Sequence, residues 1–240
     1  TKEIISKMGE VTYSRAPGVL YIESNLNYVL LGEVITRVSG QRFDKYIIDN
    51  ILIPAGIINT HFNSIRYISE GVNIYDYFFS TRQRISHADS PSSFKAGNRL
   101  YTNESDIANY LSLQLKAKEK EIYSHITISE LQTPKVFSKE NESMQFGGGW
   151  FTKEYAGMKV LYFYPRGRGT SGGLVLIPSK NIGFSIFTNI DAYPLNEELT
   201  EGILSILSGV EPNNLGVANA KIVTLFSFAL FLVSLLLIIG

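Results

Sequence analysis

Apolar residues recur with the period of an α-helix in the first half of the chain. In residues 27–39 they fall three or four positions apart, and Gly40 follows as a residue that commonly ends a helix. A shorter pattern of the same kind predicts a second helix over residues 43–52, ended by Pro54 and Gly56.

The middle of the chain contains a long irregular stretch and one further helical pattern. Residues 63–93 are polar and aromatic without a clear period, and we expect little regular structure there. Residues 105–120 carry apolar side chains on one face and predict an amphipathic helix. Thr102 or Asn103 would serve as its N-cap, because both side chains can accept a hydrogen bond from the first turn.

The period changes after Gln145. Short runs rich in aromatic and β-branched residues are separated by Gly, Pro or Asn, which predicts an antiparallel meander. Residues 195–207 then predict an amphipathic helix with acidic residues in its first turn. Helices followed by a sheet and by a helix that can cover one sheet face indicate an α+β fold. The predicted strands are residues 150–155, 159–164, 171–177 and 182–189, with a tight turn at 178–181.

The end of the chain has the pattern of a membrane span. No charged residue follows Lys221, and 14 of the 19 residues from Ile222 to Gly240 are Leu, Ile, Val or Phe. As a helix this stretch would be roughly 28 Å long, close to the thickness of the hydrocarbon core of a bilayer. We therefore predict a domain over residues 1–210, a linker over 211–221 and a single transmembrane helix over 222–240. Burial as a core helix is the alternative.

Composition excludes several classes of protein. The hydrophobic content of 45% and the 12% of aromatic residues indicate a folded chain, and the absence of cysteine excludes a disulfide scaffold. The 22 basic and 22 acidic residues cancel, so nucleic acid is not expected as a partner. His61, His87 and His125 are far apart in sequence and have no metal-ligand spacing, so we expect neither a metal nor another cofactor.

Four segments, taken in order, resemble one protein family. They are residues 17–62, 95–111, 146–151 (FGGGWF) and 174–189 (LVLIPSKNIGFSIFTN). Together they are similar to the serine β-lactamase and penicillin-binding-protein-like hydrolases, in particular the class C β-lactamase and D-alanyl-D-alanine carboxypeptidase branch. The resemblance implies a β-lactamase/transpeptidase-like fold, with a helical subdomain and an antiparallel sheet covered by a C-terminal helix.

Members of that family acylate a serine, and the resemblance implies three motifs. A Ser-x-x-Lys motif supplies the nucleophile and a lysine that can hold its proton. A Tyr-x-Asn motif supplies a phenolic base and a substrate-binding amide. A Lys/His-Ser/Thr-Gly strand lines the site and helps to bind the substrate's carboxylate or carbonyl.

The first motif is not found where the family has it. Only 22 residues precede Glu23, and the motif should lie several tens of residues before that position, so we expect a chain that lacks the N-terminal part of the fold. The sequence Ser92-Ser93-Phe94-Lys95 matches the motif by spelling but precedes Ala96-Gly97 in a loop, and we interpret it as a chance match.

The second motif is present in altered form as Glu23-Ser24-Asn25. Asn25 is retained as a substrate-binding candidate, but Glu23 replaces the tyrosine, and a carboxylate is a much weaker base than a phenolate. Tyr21 would face the same side in an extended stretch and is an alternative base. Tyr101-Thr102-Asn103 also spells the motif, but its context is that of a helix entry.

The third motif lacks its cation. Counting back without gaps from Pro178 places Phe163 at the Lys/His position. Tyr164 and Pro165 follow it, where the family has its small residues. A gapped alternative aligns Thr170-Ser171-Gly172-Gly173 with His-Ser-Gly-Gly and restores only the small residues. Arg166 and Arg168 are nearby and could supply charge. Tyr164, Ser171 and Gly172 are therefore weak candidates for substrate binding.

Two functions follow from this reading. The first is a membrane-anchored β-lactamase-related protein that is catalytically impaired or a fragment, and that binds cell-wall peptide or a β-lactam-like ligand. The second is an active serine hydrolase whose nucleophile lies upstream of this chain, with Glu23 as its base. In both cases the resemblance places the soluble domain outside the cytoplasmic membrane.

Overall fold

The computed structural model describes residues 16, 18–62, 71–78, 81–85, 95–98, 100–116, 125–138, 144–167 and 169–211. The helix predicted for residues 222–240, and most of the linker predicted before it, lie outside these ranges. Within the ranges described, no helix is both long enough and apolar enough to cross a bilayer.

Most helices lie in the first half of the chain and most strands in the second half, as is typical of an α+β fold. The helices are α1 (Asn25–Ser39), α2 (Phe43–Ile47), which continues as a π-helical turn over Ile48–Leu52, α3 (Lys95–Asn98), α4 (Glu104–Leu115), α5 (His125–Leu131) and α6 (Tyr193–Ser208). The strands are β1 (Leu20–Tyr21), β2 (Ile74–Phe78), β3 (Thr81–Ile85), β4 (Val136–Ser138), β5 (Gln145–Gly147), β6 (Trp150–Tyr155), β7 (Met158–Phe163), β8 (Arg166–Gly167), β9 (Thr170–Ile177) and β10 (Ile182–Thr188).

Most strands join one sheet in the order β1-β4-β5-β6-β7-β9-β10, with β8 paired to β9. From β4 to β9 the paired strands are antiparallel, and the β1–β4 pair is parallel. The strands β2 and β3 form a separate two-stranded hairpin.

The chain divides into two compact units. The first contains Thr1–Gly71, Ala88–Phe163 and Leu174–Ser185, and the second contains Val72–His87, Tyr164–Gly173 and Ile186–Gly240. The helices α1 to α5 and the strands β4 to β7 therefore belong to the first unit, and the hairpin β2–β3 and α6 belong to the second.

The predicted helices are confirmed with shifted ends. The helix α1 begins at Asn25 and is ended by Gly40, whose φ of 69° is in the left-handed region that glycine adopts easily. Asn103 is the N-cap of α4, since its side chain accepts a hydrogen bond from the backbone N–H of Asp106. The last helix begins at Tyr193, earlier than predicted, so the prediction of acidic residues in its first turn is wrong.

The predicted meander is confirmed to within one residue at every strand end. Pro178–Lys180 form a single 3-10 turn between β9 and β10, and Asn181 completes it with a left-handed φ of 53°. Asparagine tolerates that conformation better than most residues.

The prediction of an irregular stretch over residues 63–93 is wrong for the hairpin. Residues 74–78 and 81–85 pair in register from Ile74 opposite Ile85 to Phe78 opposite Thr81. Side chains in these two runs alternate between two faces, but each face carries both apolar and polar residues, which makes the pattern weak. Ile74 is buried, as the inward position requires.

The core of the first unit lies between α4 and the sheet. Leu111 of α4 packs against Trp150, Leu161 and Leu176 of β6, β7 and β9, and all four are buried. The ring of Trp150 also stacks on Tyr110 at a centroid distance of 6.3 Å. Complete burial of a leucine stabilises a fold by about 1.5–3 kcal/mol, so this layer holds α4 on the sheet.

A buried carboxylate fixes the N-terminal end of α4. Asp106 is 1% exposed and accepts hydrogen bonds from the Thr60 hydroxyl and from the backbone N–H of Asn59, both at 2.7 Å. The Thr102 hydroxyl is 2.7 Å from that of Thr60. Thr60 and Asp106 are both buried, so the Thr60 hydroxyl depends on the carboxylate for an acceptor that water does not replace. Asn59 and Thr102 lie at the exposed edge of this network.

Replacing Asp106 with Ala is expected to lower the free energy of unfolding by about 2–3 kcal/mol, because it leaves the buried Thr60 hydroxyl without its carboxylate acceptor. Urea denaturation followed by circular dichroism measures the change. The matched control is Glu104→Ala, which removes an exposed acid from the same helical turn and should cost about 0.5 kcal/mol or less. Equal effects of the two substitutions would contradict the role given to Asp106.

Candidate functional site

The altered second motif lies at the start of α1. Ser24 is the N-cap residue, with extended backbone, and its side chain makes no capping hydrogen bond. Asn25 is the first helical residue, and both Asn25 and Glu23 are exposed. The amide of Asn25 and the carboxylate of Glu23 are therefore presented to solvent from a rigid helix end.

Close packing of α3 holds the backbone of Asn25. A Cβ placed on Gly97 would lie 2.7 Å from the carbonyl oxygen of Asn25 and 3.3 Å from its Cβ. Ala96, the residue before Gly97, makes a second close contact with α1. A Cβ placed on Gly32 would lie 2.7 Å from the Cβ of Ala96. Both positions need glycine because real side chains do not approach so closely, and this fit fixes where Asn25 stands.

A phenol does lie near Glu23, but it is Tyr28 of α1. Burial raises the pKa of Tyr28 above its ordinary value, and the negative charge of Glu23 raises it further. The phenol is thus neutral at physiological pH and can donate a hydrogen bond. It is a poorer source of phenolate than an ordinary tyrosine.

Tyr21, the alternative base, packs on the sheet. Its ring centroid is 4.0 Å from that of Phe146 and 5.1 Å from that of Phe151. These contacts give the ring a packing role on β5 and β6. The role of base stays a prediction that the contacts do not favour.

The two residues at the third-motif position have different surroundings. Phe163 ends β7 and packs on the apolar cluster of the first unit. Tyr164, in the second unit, is largely buried, and this burial raises its pKa to about 12, helped by Glu197 and Glu201 and opposed by a hydrogen bond with Thr200. Tyr164, which directly follows the position of the cation in the motif, thus has two carboxylates near enough to act on it electrostatically.

Ser171 is the centre of a buried polar network. Its hydroxyl accepts hydrogen bonds from the Asn196 side-chain amide at 2.7 Å and from the Ala192 N–H at 2.9 Å. It donates to the Ile190 carbonyl at 3.0 Å and also lies 2.9 Å from the Thr188 hydroxyl. Ser171 is 3% exposed, and these hydrogen bonds are enough to explain why a serine stands at this position. Its role in substrate binding stays a prediction.

The glycines after Ser171 are required by close packing. A Cβ on Gly172 would lie 2.8 Å from the Ile186 carbonyl oxygen and 2.8 Å from the Phe187 ring. One on Gly173 would lie 3.1 Å from the Tyr164 ring. Close packing therefore explains the two glycines of Thr170-Ser171-Gly172-Gly173 without any catalytic role.

Arg166 is engaged by a carboxylate. Its Nε donates to both oxygens of Asp191, at 2.9 and 3.0 Å, so its charge is already paired. Arg168 lies outside the described residues. The cation that the third motif lacks is therefore not supplied by Arg166 in this arrangement.

The chance spellings have structural explanations where the structure describes them. Tyr101 and His61 exchange two backbone hydrogen bonds of 2.9 Å, and Asn103 caps α4. Ser92, Ser93 and Phe94 lie outside the described residues. No group of three His, Asp or Glu side chains lies together in the described ranges, so nothing there indicates a metal.

Comparison with known proteins decides the family. The profile of the family described as Beta-lactamase matches residues 2–208. The chain belongs to this family.

Solved structures of the β-lactamase family have the same fold. The octameric penicillin-binding protein homologue from Pyrococcus abyssi superposes with a TM-score of 0.75 at 21% identity, covering 89% of this chain and 49% of that one. A class C β-lactamase superposes with a TM-score of 0.71 at 14% identity, covering 89% and 64%. The predicted β-lactamase/transpeptidase-like α+β fold is confirmed.

Curated relatives are considerably longer than this chain. Protein flp of Staphylococcus aureus (strain NCTC 8325 / PS 47) is 25% identical over 191 residues, which are 77% of this chain and 36% of the relative. A putative D-alanyl-D-alanine carboxypeptidase of Escherichia coli (strain K12) is 25% identical over 155 residues, 56% of this chain and 35% of the relative. The chain thus spans about a third of the length of these relatives.

Replacing Ser171 with Ala is expected to lower the free energy of unfolding by about 2 kcal/mol, because the Ala192 N–H and the Asn196 amide lose a buried acceptor. Ser179→Ala, on the exposed turn after β9, is the control and should change stability by less than about 0.5 kcal/mol. Thermal and urea denaturation measure both. Unchanged stability in Ser171→Ala would show that the network is not what holds this serine.

Proposed function

We propose that this member of the β-lactamase family is a membrane-anchored binding protein for cell-wall peptide or β-lactam-type ligands, impaired in acylation. The observation that carries the proposal is the motif Glu23-Ser24-Asn25, in which the ligand-binding amide is retained and the phenolic base is replaced.

The proton chemistry around α1 supports impairment. Taking the proton of a serine requires a base whose conjugate acid is matched to the task, and the family uses a phenol or a lysine there. Glu23 stands in the place of that phenol, and Tyr28, the phenol beside it, has a raised pKa and stays protonated.

The electrostatics at the third-motif position support slow or absent turnover as well. A cation at this position would attract the carboxylate of a penicillin or of a peptide C-terminus. Phe163 occupies this position, and the carboxylates of Glu197 and Glu201 raise the pKa of Tyr164, the next residue, which disfavours an anion there.

Asn25 is the retained group with which a ligand could interact. It is exposed at a helix end that α3 fixes through Gly97, so its amide can donate to a ligand carbonyl without reorganisation of the backbone. Recognition of a peptide or β-lactam carbonyl needs this kind of neutral donor and acceptor.

Membrane anchoring is supported by the sequence of residues 222–240. A run of 19 residues without charge, with 14 large aliphatic or Phe side chains, has the length and polarity of a single span. The Escherichia coli relative is a putative D-alanyl-D-alanine carboxypeptidase, and a substrate peptide of such an enzyme would be met on the outer side of the cytoplasmic membrane.

The second candidate is an active serine hydrolase that takes its nucleophile from a part of the gene product outside these residues, with Glu23 as its base. The observation in its favour is that Glu23 and Asn25 occupy the first and third positions of the Tyr-x-Asn motif at the start of α1, so that Glu23 stands where the family has its base.

Incubation of the complete gene product with a fluorescent penicillin distinguishes the two candidates. We expect no covalently labelled band on a denaturing gel at pH 7, together with reversible binding measured by fluorescence anisotropy. Asn25→Ala should weaken that binding about tenfold, which corresponds to about 1.4 kcal/mol and to one lost hydrogen bond. Asn27→Ala, an exposed asparagine of the same helix, is the control and should leave it unchanged.

A serine penicillin-binding protein labelled in parallel verifies the reagent. A labelled band in the wild type that disappears in Glu23→Gln would contradict impairment and establish the second candidate. Absence of both labelling and reversible binding would contradict the proposed ligand class.

A further inference from the structure

The hairpin β2–β3 is fixed to the second unit by both backbone and side chains. The N–H of Tyr75 donates to the Asn189 carbonyl at 2.9 Å, and the Asn189 side-chain amide donates to the Asn73 carbonyl at 2.9 Å. Tyr75 also forms a parallel bridge with Ile190. The hairpin is therefore a continuation of the structure around residues 189–190.

The inward face of the hairpin packs on a tight turn. A Cβ on Gly169, which has a φ of 70°, would lie 2.8 Å from Cδ1 of Ile85 and 3.0 Å from Cβ of Ile74. These two isoleucines stand opposite each other in the hairpin register. Their packing determines which face is turned outward, because side chains alternate along a strand.

The outward face carries two tyrosines and two arginines. Tyr75 stands opposite Arg84, and Tyr77 stands opposite Arg82, so one row is aromatic and the other is cationic. Both arginines are exposed, and Tyr77 is 60% exposed. Two cations and the flat faces of two rings thus share a small surface.

The charge of this face is positive in the part of the chain that the structure describes. Among the described residues neither Arg82 nor Arg84 forms an ion pair. Asp76, the acid of the hairpin, lies on the opposite face and accepts a hydrogen bond from the Tyr77 N–H at 2.8 Å. A partner that meets the outward face therefore encounters positive charge.

One guanidinium is already ordered by its neighbour. The guanidinium carbon of Arg82 lies 4.5 Å from the centroid of the Tyr75 ring, the distance of a cation–π contact. Stacking restricts the side chain and leaves the N–H groups at the rim of the guanidinium free to meet a carboxylate. Less conformational entropy is then lost when an anion binds.

We propose that this face, formed by Tyr75, Tyr77, Arg82 and Arg84, binds an extended acidic peptide with carboxylates on alternate residues. Arg82 and Arg84 are two positions apart on β3, and such residues repeat about every 7 Å, as do the side chains on one face of an extended peptide. Carboxylates would meet the cationic row, and the aliphatic stems beside them would pack on the tyrosine rings. The inference goes beyond the proposed function and does not depend on Glu23, Asn25 or a β-lactam.

Two other classes of polyanion fit less well. Single-stranded nucleic acid could stack on the rings, but two cations on a chain of zero net charge neutralise few phosphates. An anionic lipid surface would attract the arginines without using their spacing or the rings. Both classes serve as comparison ligands in the test.

The test measures peptide binding to the full chain in a neutral detergent, by anisotropy of a fluorescein-labelled octapeptide of alternating Glu and Thr. We expect it to bind at least tenfold more tightly than a peptide of four Glu followed by four Thr. The double variant Arg82→Gln/Arg84→Gln should weaken binding at least tenfold. The charge-matched control Lys116→Gln/Lys135→Gln, at exposed lysines elsewhere, should change it less than twofold.

Further variants separate charge from shape. Arg82→Lys/Arg84→Lys keeps the charge but loses the planar group, and should bind about threefold more weakly than the wild type. Tyr77→Phe should retain binding and Tyr77→Ala should lose several-fold. Circular dichroism of each variant verifies folding, and the lysine pair replaces the glutamine pair if the latter does not fold.

Several results would overturn the proposal. These are equal affinity for the alternating and the block peptide, unchanged binding in the arginine variants, or no peptide binding at all. Tighter binding of an oligothymidylate or of vesicles containing phosphatidylglycerol would assign the surface to nucleic acid or to lipid instead. Penicillin binding by the hairpin variants should equal that of the wild type, which keeps this test separate from that of the proposed function.

Discussion

The packing of α4 on the sheet is the contact on which the first unit depends. Leu111 meets Trp150, Leu161 and Leu176 there, and the Asp106 carboxylate at the other end of the helix binds Thr60. From this point a chain of contacts leads to the altered motif. Phe62 packs on Phe43 of α2 at a ring distance of 5.5 Å, and Phe43 would be 3.4 Å from a Cβ on Gly32 of α1. The position of Asn25 thus follows from a core that lies well away from it, since α1 is held at Gly32 and again at Gly97.

Strong local patterns made most of this fold predictable, and weak ones hid the rest. The limits of the strand at residues 150–155 were predicted correctly, because aromatic and β-branched residues fill the strand and turn residues flank it on both sides. The two-residue strand β1 and the three-residue strands β4 and β5 exist through pairing with distant partners, such as Leu20 with Phe137, which no local window contains. The helix α5 is not evident from the sequence for a different reason, since its seven residues are too few to show a clear helical period. The hairpin has just one inward pair of aliphatic residues and reads as irregular.

The same distinction between local patterns and distant contacts applies to the candidate site. Glu23 and Asn25 could be located because a helix start follows them directly in sequence. The surroundings of Ser171 could not, since its partners Ile190, Ala192 and Asn196 lie 19 to 25 residues further along. Residue types that spell a catalytic motif can satisfy a packing requirement equally well, and only the hydrogen-bond partners tell the two apart.

The second unit contains the hairpin and also Tyr164, the residue that follows the third-motif position, and the two have neighbours of opposite charge. Burial raises the pKa of Tyr164, and the carboxylates of Glu197 and Glu201 on α6 raise it further. The outward face of β3 carries Arg82 and Arg84, and neither is paired with an acid among the described residues. This difference in charge is the reason for proposing that an anion binds at the hairpin and not at Tyr164. The ring of Tyr75 already orders the side chain of Arg82. Arg82 therefore loses less side-chain conformational entropy on binding an anion than an unrestrained lysine side chain would lose.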